Sequence, residues 1–159
     1  MTGIWGRALG WGACATAVVL LVAALLGARV EAAADLSIHG ATIRLAAVPG
    51  RPAAGYFRLD GGPAKLVAVS SPLAERIEMH STSTAGGVMR MAALPAATVR
   101  ADAPLTFAPG GSHLMIFGLR DVKPGASVPL LFRFADGRTV RSAARAVAAG
   151  AAMEMHGAH

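Results

Sequence analysis

The chain has a single cysteine in 159 residues, Cys14, and it lies inside an apolar N-terminal segment. From residue 35 onward there is none. That removes thiolate chemistry from the body of the protein: no disulfide, no redox CxxC pair, no cysteine nucleophile, no thiolate metal ligand. A domain without disulfides must be held by its core alone. Aromatic residues are scarce at 5%, and alanine inflates the 54% hydrophobic content. The core must therefore come from Val, Leu, Ile, Ala and a few Phe. Negative charge is also sparse, with 9 acidic residues against 15 basic ones. The arginines from Arg44 to Arg145 are scattered and not interleaved with aromatics, which argues against a nucleic-acid partner. They read as a solvated basic surface before a docking face for an acidic partner. No internal repeat and no amphipathic helical period is visible. No nucleophile, base and acid stand together, so the chain reads as not an enzyme.

The N-terminus follows the pattern of an export signal. Met1 to Arg7 carries one positive charge, Ala8 to Ala28 carries none, and Glu31-Ala32-Ala33-Ala34-Asp35 offers small residues for cleavage near Ala34. The rival is an uncleaved membrane anchor, since the uncharged run is long enough to span a bilayer. Gly10, Gly12 and Gly27 weaken that helix. Lipidation at Cys14 is disfavoured, because Trp11 stands three residues before it and the apolar run follows it. The expected organisation is a signal peptide over 1–34, a domain over 35–149 and a flexible Met/His-rich tail over 150–159.

Past Leu36, short apolar runs alternate with Gly, Pro, Asp and Ser clusters, the spacing of an all-β sandwich or barrel. Strands are expected at Leu36–Ala47, Gly55–Leu59, Lys65–Ser70, Arg76–Ser81, Val88–Ala92, Leu105–Phe107 and His113–Leu119. A final hairpin is expected from Val128–Phe134 and Thr139–Val147. Turns fall at 48–52, 60–63, 82–87 and 108–111, and 95–104 reads as irregular.

The chemistry is concentrated between His80 and Met115. Apart from His39, every His and Met beyond residue 35 lies from Met79 to Met115 or in the tail. Met79 and His80 are adjacent, so only one of them can face a given site. Met89 and Met91 share a strand face, as do His113 and Met115. Imidazole and thioether donors together select monovalent copper among common metals. Neither must shed a proton from its resting form, so loading competes only with histidine protonation. Taken alone, a Met in a strand is core filler and a lone His is a hydrogen-bonded structural residue. The co-occurrence of the two residue types in one stretch is what favours a site.

His80, ten residues, Met91, twenty-one residues, His113, one residue, Met115 is a spacing that resembles the signature of the PCuAC copper chaperones. Ala54-Gly55-Tyr56-Phe57, Ala68-Val69-Ser70-Ser71-Pro72, Glu78-Met79-His80, Gly87-Val88-Met89-Arg90-Met91 and Pro109-Gly110-Gly111-Ser112-His113-Leu114-Met115 resemble that family's segments. The resemblance runs from Leu36 to Val147. It departs at Leu59-Asp60-Gly61-Gly62, where an Asn often follows the early strand. It implies a cupredoxin-like Greek-key β-sandwich that binds Cu(I) through His80, Met91, His113 and Met115 in the periplasm. It also implies delivery to an oxidase subunit or another copper assembly factor during cytochrome oxidase assembly. Met89 becomes a neighbour able to substitute for Met91. Met153, Met155, His156 and His159 form an accessory set suited to capturing Cu(II). Two other functions fit the same residues: a copper-buffering or resistance protein without a client, and an exported β-sandwich interaction module with no metal. A blue-copper electron carrier is excluded by the missing thiolate.

Overall fold

The structure, a computed structural model, describes residues 34–151. The expected signal segment and the tail from 152 to 159 lie outside the described residues. All described residues belong to one compact unit, Ala33–His159. It is the all-β, cupredoxin-like sandwich expected from the sequence, with no helix among the described residues.

Ten strands follow in chain order: β1 (Ala34–Arg44), β2 (Ala53–Gly62), β3 (Ala64–Ser70), β4 (Arg76–Ala85), β5 (Val88–Ala93), β6 (Ala97–Val99), β7 (Leu105–Phe107), β8 (His113–Phe117), β9 (Ser127–Phe134) and β10 (Thr139–Val147). They hydrogen-bond in the order β5-β4-β8-β2-β1-β10-β9-β3-β6, with β7 also paired to β2. The path curls on itself, so β3 lies against β4 and β6 against β2. Every pairing is antiparallel except β1 with β10, which joins the two ends of the domain in parallel.

Alternation of side chains drives the closure. In β9, Val128, Leu130, Phe132 and Phe134 are buried, while Ser127, Pro129 and Arg133 between them are exposed. Pro129 is tolerated inside this strand because the β3 register ends at Ser70 opposite Leu131, leaving Pro129 past the end of that neighbour. The interior is wholly apolar among the described residues. Its centre is Phe57, stacked on Phe107 at 4.5 Å and edge-on to Phe132 at 4.9 Å between ring centroids. Ile43, Leu59, Leu66, Leu114 and Ile116 fill the space around these rings.

Three segments differ from the sequence reading. The turn expected at 60–63 shrinks to Pro63, because β2 continues to Gly62 and β3 begins at Ala64. The polar stretch at 82–85 continues β4, and the turn is only Gly86-Gly87. Both of these glycines have positive φ, 58° and 78°, the geometry of a two-residue type I′ hairpin. The stretch 95–104 contains β6, which pairs with β3 and buries Ala97 and Val99.

Candidate metal centre

Three neighbouring strands, β5, β4 and β8, carry the residues singled out from the sequence. His80 on β4 stands directly opposite His113 on β8. Their rings lie 6.0 Å apart between centroids and 28° from parallel. Met115, two residues beyond His113, faces Glu78, two residues before His80. On the other side, Ala93 of β5 faces His80, Met91 faces Thr82 and Met89 faces Thr84. Because side chains alternate, Met91, His80, His113 and Met115 all project from one face of this three-stranded patch. Met91 and Met115 each stand diagonal to His80, one on either flank, within reach of long side chains. The opposite face belongs to the core: Met79 is only 7% exposed and packs with Leu114 and Ile116.

The turn before β8 sets the His113 ring. Ala108 N–H donates to the Ser112 carbonyl at 2.8 Å, and Gly111 N–H to the Ala108 carbonyl at 3.0 Å. That closes a turn in which Gly110 takes φ of 80°. The Gly111 carbonyl then accepts a hydrogen bond from His113 Nδ1 at 3.2 Å. A neutral imidazole has one N–H, so Nε2 of His113 keeps its lone pair.

His80 is held differently. Its side chain is 15% exposed, and Nε2 donates to Glu78 Oε2 at 3.0 Å. Its Nδ1 is buried without a hydrogen-bond partner, alone in this among the side-chain nitrogens and oxygens of the described residues. A buried polar atom left unpaired costs about 1–3 kcal/mol, and such an atom asks for a ligand. Metal-binding histidines ordinarily donate their second ring nitrogen to a carboxylate or a backbone carbonyl. Both patterns occur here, one on each histidine.

Glu78 was not among the residues given a role from the sequence, yet it is central to the geometry. Its other oxygen, Oε1, accepts from Arg76 Nε at 2.6 Å. The Arg76 guanidinium in turn lies 4.0 Å from the centroid of the Phe117 ring, its cross-strand partner. The His80 hydrogen bond first, and the Arg76 contact second, hold the Glu78 carboxyl below its ordinary value of 4.5. The signal for this arrangement was present in the alternation Arg76-x-Glu78-x-His80, which puts a cation, an anion and an imidazole on one strand face.

The remaining candidates separate cleanly. Met91 and Met89 are 54% and 68% exposed, on the edge strand of the sheet. His39 lies on β1 opposite Arg58, with its Nε2 at 2.9 Å from the Ser37 hydroxyl, away from the patch. Met153, Met155, His156 and His159 lie outside the described residues. No group of three His, Cys, Asp or Glu suited to a metal occurs among the described residues. The donors that this face brings together are two imidazoles flanked by thioethers.

Comparison with known proteins places the chain. The family model described as "Putative lipoprotein LpqE-like" matches residues 24–146. The chain belongs to the LpqE-like family. The match begins ten residues after Cys14, so it does not bear on that residue. The LpqE-like chain is 35% identical over 80 residues to "Putative lipoprotein Lxx21020" of Leifsonia xyli subsp. xyli (strain CTCB07). That alignment covers 49% of this chain and 48% of the relative, so the chain spans about half the length of the curated relative it matches. Among solved structures it is similar to apo-DR1885 from Deinococcus radiodurans, with 32% identity, a TM-score of 0.56, and coverage of 74% of this chain and 81% of that one. It shares its fold with the copper-bound PCuAC domain from PmoF2, with a TM-score of 0.59, 18% identity, and coverage of 74% and 96%.

Proposed function

We propose that this protein is an exported copper(I) carrier of the cell envelope, which holds the ion on the β5-β4-β8 face with His80, Met91, His113 and Met115. The observation that carries the reading is the buried, unpartnered Nδ1 of His80, on a residue that pairs with His113 across the β4–β8 ladder and has Met91 and Met115 at its diagonal positions. The donor set suits a soft monovalent ion. All four donors are neutral, so release needs no proton to return to a thiolate or carboxylate. Met91, the most exposed of the four, is the donor that an acceptor's ligand replaces first. The likeness to a copper-bound PCuAC domain supports the same reading at the level of fold.

The receiver in this reading is an apo copper site of a respiratory oxidase subunit, or a second assembly factor. The export segment delivers the protein to the periplasmic side. The Met153–His159 tail captures Cu(II) and raises the local supply.

Anaerobic titration of the purified protein against a competing Cu(I) chelator tests the site. One tight equivalent is expected, lost in the His113→Ala/Met115→Ala double variant; full affinity in that variant would sink the assignment. Truncation after Ala149 should leave that equivalent in place and remove Cu(II) uptake. For delivery, oxidase activity is measured in a deletion strain at limiting copper. A defect repaired by added copper supports delivery, whereas normal respiration with reduced copper tolerance assigns buffering instead.

A further inference from the structure

We infer that Glu78 is the positioning residue of this face: it fixes the proton of His80 on Nε2 and so dedicates Nδ1 to the bound ion. The inference rests on the copper reading above and deepens it.

Three alternate rungs of the β4–β8 ladder, those whose side chains share one face, build the device. Arg76 faces Phe117, Glu78 faces Met115 and His80 faces His113. Phe117 offers its ring face to the Arg76 guanidinium at 4.0 Å. Arg76 Nε holds Glu78 Oε1 at 2.6 Å, and Glu78 Oε2 takes the N–H of His80 Nε2 at 3.0 Å. Each carboxylate oxygen thus has its own donor, and the group cannot turn without breaking one contact. An ionised carboxylate only accepts, so the imidazole proton must sit on the nitrogen that faces it. The nitrogen left over, Nδ1, is the buried one with no partner.

The two histidines are consequently presented in opposite senses. His80 offers Nδ1 because a side-chain carboxylate holds Nε2. His113 offers Nε2 because the Gly111 carbonyl holds Nδ1. The His113 clamp is backbone and is beyond the reach of a side-chain substitution. The His80 clamp is a side chain, so the ligand state of His80 is set by residue 78.

This gives an unusual expectation for an isosteric change. In Glu78→Gln the Arg76 guanidinium claims the amide oxygen, since both its own N–H and the amide NH₂ are donors. The NH₂ then points at His80 Nε2, which must accept, and the imidazole proton moves to Nδ1. The copper-facing nitrogen becomes an N–H. Removing Arg76 as well, in Arg76→Ala/Glu78→Gln, frees the amide to turn its oxygen toward His80 and restores Nε2–H.

Nitrogen NMR of the histidine rings in the metal-free protein reads the proton position directly, without any copper. The expected results are Nε2–H for His80 in the wild type, Nδ1–H in Glu78→Gln, and Nε2–H again in the double variant. Cu(I) affinity should fall about ten- to a hundredfold in Glu78→Gln, the usual cost of losing an outer-shell partner, and recover in the double variant. A structural role alone would not produce recovery on removing a second contact. If His80 keeps Nε2–H in a folded Glu78→Gln protein, with Cu(I) affinity within about twofold of wild type, the inference is overturned. If Glu78→Gln does not fold, Glu78→Ala supplies the test: loss of the protected Nε2–H signal supports the clamp, and its persistence overturns it. A wild type that takes up no Cu(I) overturns the proposed function instead, while the metal-free spectra still decide the role of Glu78.

Discussion

At the scale of single residues, the contrast between Met79 and Met91 separates packing from chemistry. Met79, on the core face of β4, is buried, while Met91 stands in solvent on the same face as His80. A buried Met truncated to Ala loses transfer energy and leaves a cavity, about 2–5 kcal/mol together. Met79→Ala should therefore lower the chemical-denaturation midpoint strongly while the folded protein keeps its Cu(I) affinity. Met91→Ala should leave stability within about 0.5 kcal/mol, as exposed substitutions do, and weaken Cu(I) binding. Met89→Ala, two residues nearer the hairpin tip, should change neither. Parallel denaturation and Cu(I) competition curves on the three variants check this; a Met91→Ala protein that unfolds early but binds normally would reverse the assignment. Much of this was legible from alternation, which puts adjacent Met79 and His80 on opposite faces. What alternation could not reveal was which nitrogen of each ring is free, because that depends on a carboxylate two residues away and on a turn carbonyl.

At the scale of elements, β8 ties the core to the site. Leu114 and Ile116 point inward, and His113 and Met115 project between them on the other face. The strand beside β8 carries Gly55 opposite Leu114. A Cβ at residue 55 would lie 3.0 Å from Leu114 Cβ and 3.3 Å from Ile116 Cδ1, so β8 would have to give way. Overpacking of this kind costs about 1–3 kcal/mol. Gly55→Ala should therefore destabilise the protein by that amount and also weaken Cu(I) binding, although residue 55 offers no donor. Denaturation and Cu(I) competition on the same sample measure both; lost stability with wild-type affinity would show that β8 absorbs the strain without moving its ligands. The sequence marked Gly55 as the start of a strand, but nothing in the chain order shows that β8, sixty residues later, packs across it. The β4–β5 hairpin departs from its sequence pattern for a related reason. Thr82, Ser83 and Thr84 look like turn residues, yet paired Gly86 and Gly87 satisfy the tight turn by themselves and let the strands run to the tip.

At the scale of the whole molecule, strand content followed from short alternating runs, whereas the sheet order did not. The parallel β1–β10 pairing joins residues about a hundred positions apart, and β6 was hidden in an alanine-rich stretch bounded by Pro95 and Pro104, where only Ala97 and Val99 are buried. A second global pattern emerges only from the side chains. Arg58 pairs with Asp60, Arg100 with Asp102, and Arg138 with Asp136, each two residues apart on the exposed surface. The Arg58 and Arg100 side chains hold Asp60 and Asp102 below the ordinary 3.8. For Asp136 the first cause is the Arg138 backbone N–H. With folded values depressed, the unfolded chain binds more protons as pH falls through this range. The stabilisation is complete above the unfolded value of 3.8 and is lost as pH falls through the folded values. Because the pairs are exposed and local in sequence, part of each survives unfolding and the effect is modest. The thermal midpoint of the metal-free protein should therefore be flat from about pH 7 to 5 and decline below about pH 4. Added salt should shrink that decline by screening the exposed pairs. Calorimetry across that range at two ionic strengths measures it, and a midpoint that rose on acidification would mean that the unfolded chain, not the fold, holds these carboxylates low.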